Sequence, residues 1–150
     1  MKLETNEFGN TGLQVTRLGY GAMELREGPE DLANDLLNLV LDSGINFIDT
    51  SIDYGDSEKL IGKFISHRRS EFFLASKCGC AIGTGEGHIF TKENITNGIN
   101  QSLKLLKTDY LDLVQLHNPI NNVIEENDVI QTLLDIKHDG KGRFIGTSSF

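Results

Sequence analysis

Four side chains in this sequence have the types that carbonyl chemistry requires: Asp49, Tyr54, Lys77 and His117. A phenol titrates near about 10, so alone it is a weak acid toward an alkoxide forming at neutral pH. A lysine ammonium beside it stabilises the phenolate, and a carboxylate beside the lysine keeps that lysine charged and oriented. An imidazole can hydrogen-bond a carbonyl oxygen and hold it within reach of the phenol. Such a set polarises and protonates a carbonyl while hydride comes from elsewhere. No side chain donates hydride, so a nicotinamide cofactor is implied.

Each residue also has an ordinary structural explanation. A carboxylate after an apolar strand often caps a helix, a lysine on a rim is often solvated, and a histidine before proline can satisfy loop backbone. Their joint placement carries more weight. Asp49 follows Phe47 and Ile48, Lys77 follows Phe73, Leu74 and Ala75, and His117 follows Val114 and Leu116. Each therefore ends an apolar strand, with Tyr54 in the loop after Asp49. Spacings of 28 residues (49 to 77) and 40 (77 to 117) suit successive βα units, which would gather the group on one rim.

The elements that must position them follow a repeating pattern. Residues 1–18 predict a hairpin with arms near Leu3–Phe8 and Gln14–Leu18, joined by the turn formers Gly9-Asn10-Thr11-Gly12. Arg17–Met23 reads as a short strand. Pro29, Glu30 and Asp31 open a helix striped by Leu32, Leu36, Leu37 and Val40 and closed by Gly44. Asn46–Thr50 is the second strand, and Ser57 is expected to cap a helix burying Leu60, Ile61, Phe64 and Ile65. Phe72–Lys77 is the third strand. After a glycine-rich stretch at 83–87, Thr91 caps a helix striped by Ile95, Ile99, Leu103 and Leu106. Tyr110–His117 is a nearly continuous apolar strand, as expected when both faces are covered. A helix near Glu126–Lys137, with Val129, Ile130, Leu133, Leu134 and Ile136, precedes a fifth strand, Arg143–Phe150.

Alternating strands and helices imply βαβ units and a parallel sheet. An open dinucleotide-binding sheet should carry Gly-x-Gly-x-x-Gly in its first turn, yet that turn reads Gly19-Tyr20-Gly21-Ala22-Met23. The glycines at 83–87 have the wrong spacing and follow the third strand, so a flexible loop is expected there. A (β/α)8 barrel is favoured, and in barrels the active site lies at the C-terminal strand ends.

The 150 residues carry a net charge of −8, which argues against nucleic acid or an anionic membrane as partner. With 38% apolar and 24% charged residues, the chain has the composition of a soluble protein with material for a core. No apolar run approaches the roughly 18 residues that span a bilayer, and no secretory signal opens the chain. Two cysteines, Cys78 and Cys80, form neither a disulfide framework nor a Cys-x-x-Cys site; a cytoplasmic location and packing roles are expected. Asp53 and Asp56 read as loop and cap residues, and Asp109 and Asp112 as structural. His67, His88 and His138 are expected to face solvent, with no spacing that suggests a metal site.

Asn46-Phe47-Ile48-Asp49-Thr50-Ser51-Ile52-Asp53-Tyr54-Gly55-Asp56-Ser57-Glu58 closely resembles the aldo-keto reductase signature. Ala75-Ser76-Lys77 resembles that family's lysine strand, and Thr108–His117 its histidine strand; Gly142–Phe150 is similar to its fifth strand. The resemblance runs through essentially the whole chain in the family's order. It implies a TIM-barrel oxidoreductase that reduces aldehydes and ketones, with Tyr54 as general acid, Lys77 and Asp49 tuning it, and His117 orienting the carbonyl. It further implies that Gly21, Ala22, Met23 and Asp49 border the nicotinamide ribose, that Ser148 and Ser149 hold the carboxamide, and that Asn118 lines the pocket. Ser149 stands where the family usually has asparagine. NADPH is the expected cofactor, with NADH as the alternative.

The elements amount to the hairpin, strands one to five and helices one to four, an incomplete barrel, since a whole one needs about 250 residues. Residues 1–150 are thus expected to be one partial oxidoreductase domain, a fragment with weak or no activity alone. A complementary half-barrel or a homodimer is the expected partner if the chain is truly this short. The competing functional reading is a non-catalytic, nucleotide-sensing regulatory subunit on the same fold.

Overall fold

The computed structural model describes residues 3–81, 87–126 and 128–149. Strands β1 (Thr5–Glu7) and β2 (Gln14–Thr16) pair antiparallel as the expected hairpin. A second sheet contains β3 (Tyr20–Gly21), β4 (Phe47–Asp49), β5 (Phe73–Cys78), β6 (Leu111–His117) and β7 (Gly142–Ser148). All four pairings in it are parallel, and the strand order in space follows the order in the chain, β3-β4-β5-β6-β7. A doubly wound open sheet reverses direction at a switch point. This sheet never does, so it advances as the staves of a barrel advance.

Helices α1 (Glu30–Asp42), α2 (Ser57–Phe64), α3 (Lys92–Leu106), α4 (Asn121–Glu126) and α5 (Val129–His138) fill the connections. Their inward faces meet the sheet in one apolar cluster, with Leu37, Ile48, Leu60, Ile61, Leu74, Ile95, Ile99, Val114, Leu116 and Leu133 at its centre. Truncating one of these, such as Ile99 to alanine, would cost about 2–5 kcal/mol through lost transfer energy and the cavity left behind. At the N-terminal end of the sheet the hairpin packs beneath the strands. Asn46 Oδ1 accepts from Thr16 N at 2.7 Å, and the Phe8 and Phe47 rings lie 5.4 Å apart.

Several local expectations are corrected. The first barrel strand is only two residues, because the chain turns into a 3-10 helix at Met23–Glu27. Leu32 is 61% exposed; the buried face of α1 is Ala33, Leu37, Val40 and Leu41. Ser57 is the first residue of α2 rather than its cap. Its hydroxyl is buried, donates to Ala22 O at 2.9 Å and lies 2.8 Å from Thr50 Oγ1, tying the helix to two strand ends. Asp56 takes the cap position without a side-chain cap bond. The helix expected near Glu126–Lys137 is α5, with the short α4 as an additional helix before it, and Ile130 and Leu134 are exposed. Thr91 caps α3 as expected, accepting from Asn94 N at 3.2 Å. Gly44 closes α1 with φ +85° and its N–H on Leu41 O. The loop expected at 83–87 falls largely on 82–86, outside the described residues.

Candidate active site

The rim at the C-terminal strand ends is built by backbone pairing. Gly21 is in register with Asp49, Asp49 with Ala75, Lys77 with Gln115, and His117 with Ser148. Lys77 is buried on β5, and its Nζ donates to Asp49 Oδ2 at 2.5 Å and to Thr50 O at 2.9 Å. Burying an ammonium is costly unless it is paired and hydrogen-bonded. Here both partners belong to the end of β4, so burial and pairing together aim the amine. Asp49 is half-buried and also accepts from Gln115 Nε2 at 2.9 Å through its other oxygen. Both carboxylate oxygens are therefore occupied, which holds the group in one orientation.

Tyr54 sits in the loop after β4, where Tyr54 N donates to Ser51 O at 3.1 Å and Ser57 N to Tyr54 O at 2.9 Å. The Lys77 ammonium lies 4.8 Å from its ring centroid. The His117 ring stands edge-on to it, 6.2 Å between centroids at 82°. Asp49, Tyr54, Lys77 and His117 thus do gather on one rim. The Lys77 ammonium and the His117 imidazole both stand against the Tyr54 ring, and Asp49 holds the ammonium.

The other expected positions lie on the same rim. Ala22 is buried, and its N–H donates to Asp49 O at 2.8 Å. Gly21 beside it has open space where a side chain would stand, and Met23 is exposed. Asn118 follows His117 with φ +50° and donates from its backbone to Ser148 O at 2.6 Å. Ser148 ends β7, and Ser149 is exposed just beyond it.

Sequence reasoning missed four neighbours. Asp53 is not merely a loop residue: its Oδ2 lies 3.2 Å from His117 Nδ1. Partial burial opposes its ionisation, yet hydrogen bonds with His117 and Ser51 hold its carboxyl below the usual carboxylate range. Cys80 Sγ lies 3.3 Å from the same Nδ1, and burial with the nearby Asp53 charge pushes its thiol up to about 12. His88, expected to face solvent, is exposed but stands edge-on to His117, 5.0 Å between centroids, and stacks on Phe90. Gln115 is the fourth, and it left a signal. It lies two residues before His117, and so on the same face of β6, between the apolar Val114 and Leu116.

Behind the rim lies a carboxyl that no expectation covered. Glu58, in the first turn of α2, is buried, accepts from Ser76 Oγ at 2.6 Å, and has no hydrogen-bond partner on its second oxygen. Burial is the main cause that pushes it up to about 7, and Asp53 adds to it.

At the far end of the sheet, Asp112 is fully enclosed, as its structural reading requires. It accepts from Leu74 N at 2.9 Å, Arg69 Nη2 at 2.7 Å and Arg143 Nη1 at 2.6 Å. Among the described residues no helix is long and apolar enough to cross a membrane.

A parallel sheet whose strands follow one another in chain order, with polar residues gathered at their C-terminal ends, has the architecture of a βα-barrel. Residues 17–150 match the model of the aldo/keto reductase family. An L-galactose dehydrogenase from Arabidopsis thaliana is 37% identical over 97% of the chain and 48% of its own length. A 6-dehydroglucose reductase from Novosphingobium aromaticivorans is 32% identical, over 96% of the chain and 51% of its own length. The solved holo form of an aldo-keto reductase from Bacillus halodurans superposes with a TM-score of 0.89 at 30% identity, covering 99% of this chain and 51% of that one. The chain belongs to the aldo/keto reductase family. It spans about half the length of the curated relatives it matches. The family's fold is the TIM barrel, and its members use nicotinamide cofactors on small carbonyl compounds.

Proposed function

We propose that this protein reduces aldehydes or ketones to alcohols with NADPH, with NADH as the alternative donor. The observation that carries the reading is the Asp49–Lys77 pair set under the Tyr54 ring with His117 at its edge. The bound nicotinamide supplies the hydride, a step no side chain can perform. The donor set fits such a cofactor, because the rim offers an acid and a carbonyl ligand but no reductant. Gly21, Ala22, Met23 and Asp49 would border the ribose, and Asn118, Ser148 and Ser149 the carboxamide.

The protein's own part is to bind, orient and protonate. His117 positions the carbonyl oxygen, with Nδ1 held on the Asp53 and Cys80 side and Nε2 left for substrate. Tyr54 gives its phenolic proton to the alkoxide oxygen as negative charge develops there. The Lys77 ammonium stabilises the phenolate that remains, and Asp49 holds that ammonium in place. Positioned general acids of this kind contribute about 10²–10⁴-fold.

The carbonyl is a small-molecule one, and the names of the relatives justify including sugar aldehydes among trial substrates. Residues 1–150 are read as one partial domain. Alone they should turn over slowly or not at all, and a complementary half-barrel should raise the rate. Following NADPH oxidation with a simple aldehyde tests this: the 150-residue chain alone should be near background, and robust turnover by it would refute the partial-domain reading.

A further inference from the structure

We infer that Asp53, Cys80, His88 and His117 form a binding site for a zinc-class divalent ion beside the carbonyl pocket. One ligand-capable atom from each of the four lies within 4.8 Å of all the others. Around a tetrahedral zinc, bonds of about 2.0–2.3 Å to nitrogen, oxygen and sulfur place neighbouring ligand atoms about 3.3–3.7 Å apart. His117 Nδ1 already lies 3.2 Å from Asp53 Oδ2 and 3.3 Å from Cys80 Sγ. Two of the ligand-to-ligand distances, both measured from His117 Nδ1, therefore already match the spacing the ion demands. The fourth ligand residue, His88, is exposed, and its ring stands edge-on to His117 with 5.0 Å between centroids.

The scaffold argues for a built arrangement. Cys80 and His88 face each other across an isolated antiparallel bridge, held by Ala81 N on Gly87 O and Ile89 N on Gly79 O. Gly79 adopts φ +92° with the Phe90 ring where a side chain would stand, and that same ring stacks on His88. Ser51 Oγ lies 3.8 Å from Cys80 Sγ, within reach of an outer hydrogen bond to the ligand sulfur. The donors also suit the ion. One thiolate and one carboxylate balance its charge, two imidazoles complete a four-coordinate shell, and thiolate with imidazole selects zinc over magnesium or calcium. On coordination the Cys80 Sγ–H bond breaks, the sulfur pair bonds the metal, and the proton leaves to solvent. With Nδ1 as the ligand atom, the proton of His117 resides on Nε2. Any effect of the ion on turnover rests on the reductase reading above, but coordination itself does not.

Cobalt(II) is the probe. Titrated into the chelator-treated full gene product, it should bind one ion per chain. It should show the intense visible bands of a tetrahedral centre and a near-ultraviolet thiolate-to-metal band, both bleached by zinc. Cys80→Ser should abolish the thiolate band, and His88→Ala should weaken binding at least tenfold. A weak octahedral spectrum, or a thiolate band that survives in Cys80→Ser, would overturn the site. Should the cysteine variant not fold, the exposed His88 decides alone: unchanged cobalt affinity in His88→Ala overturns the inference. None of these readouts depends on NADPH turnover, so failure here leaves the Tyr54 chemistry standing, and the reverse holds.

Discussion

At the scale of single residues, buried charge divides into two kinds. Asp112 is satisfied on every side by Leu74 N, Arg69 and Arg143 at the end of the sheet remote from the rim. Removing it takes away the counter-ion of the Arg69 guanidinium and the acceptor of Leu74 N, so Asp112→Ala should cost about 3–5 kcal/mol, read from chemical denaturation. Glu58 is the opposite case, enclosed with only one oxygen partnered. Its carboxyl titrates near 4.5 in an unfolded chain and is raised to about 7 in the fold, first by burial. The native state then binds the proton more tightly than the unfolded state does. Stability should accordingly fall as pH rises from about 4.5 to about 7, by roughly 3 kcal/mol for the single group. In Glu58→Gln that slope should largely vanish, and denaturation midpoints between pH 5 and 7.5 would show it. Lys77 belongs to the rim. Lys77→Met should leave Asp49 facing an uncharged neighbour and slow carbonyl reduction by at least tenfold, as measured by kcat.

At the scale of elements, the apolar runs ending in Asp49, Lys77 and His117 made the strands and the rim legible. Tertiary pairing only had to set those runs side by side. The stripe of α1 was harder, because adjacent Leu32 and Ala33 compete for the inward position and space against the sheet admitted the smaller residue. The hydroxyl of Ser57 went to Ala22 and Thr50 instead of to its own helix, a choice local propensity does not encode. Asp53, Cys80 and His88 escaped notice for a related reason. Loops have no period, and the bridge that sets Cys80 opposite His88 depends on a chain reversal. Gly62 in α2 packs directly against the end of α3: a Cβ there would overlap Leu105 O. Gly62→Ala should therefore destabilise by about 1–3 kcal/mol despite the higher helix propensity of alanine, an effect visible as a lowered Tm.

At the scale of the whole molecule, β7 pairs with β6 on one side and carries the outer edge of the parallel sheet among the described residues. The family's barrel closes such an edge with further staves, and the chain spans about half the length of its relatives. The rim chemistry and the barrel's completion are therefore separable. The first is written in β4, β5 and β6, and the second concerns what meets β7. The chemistry is tested most directly in the full product of the reading frame that encodes these residues. NADPH oxidation with a panel of aldehydes, sugar aldehydes included, is compared between the wild type and Tyr54→Phe, with nucleotide affinity measured in parallel by fluorescence. A reductase in which Tyr54 is the general acid loses about 10²–10⁴-fold in kcat while nucleotide affinity stays within a factor of two. Turnover undiminished in Tyr54→Phe, or absent from the wild type while nucleotide still binds, would contradict it.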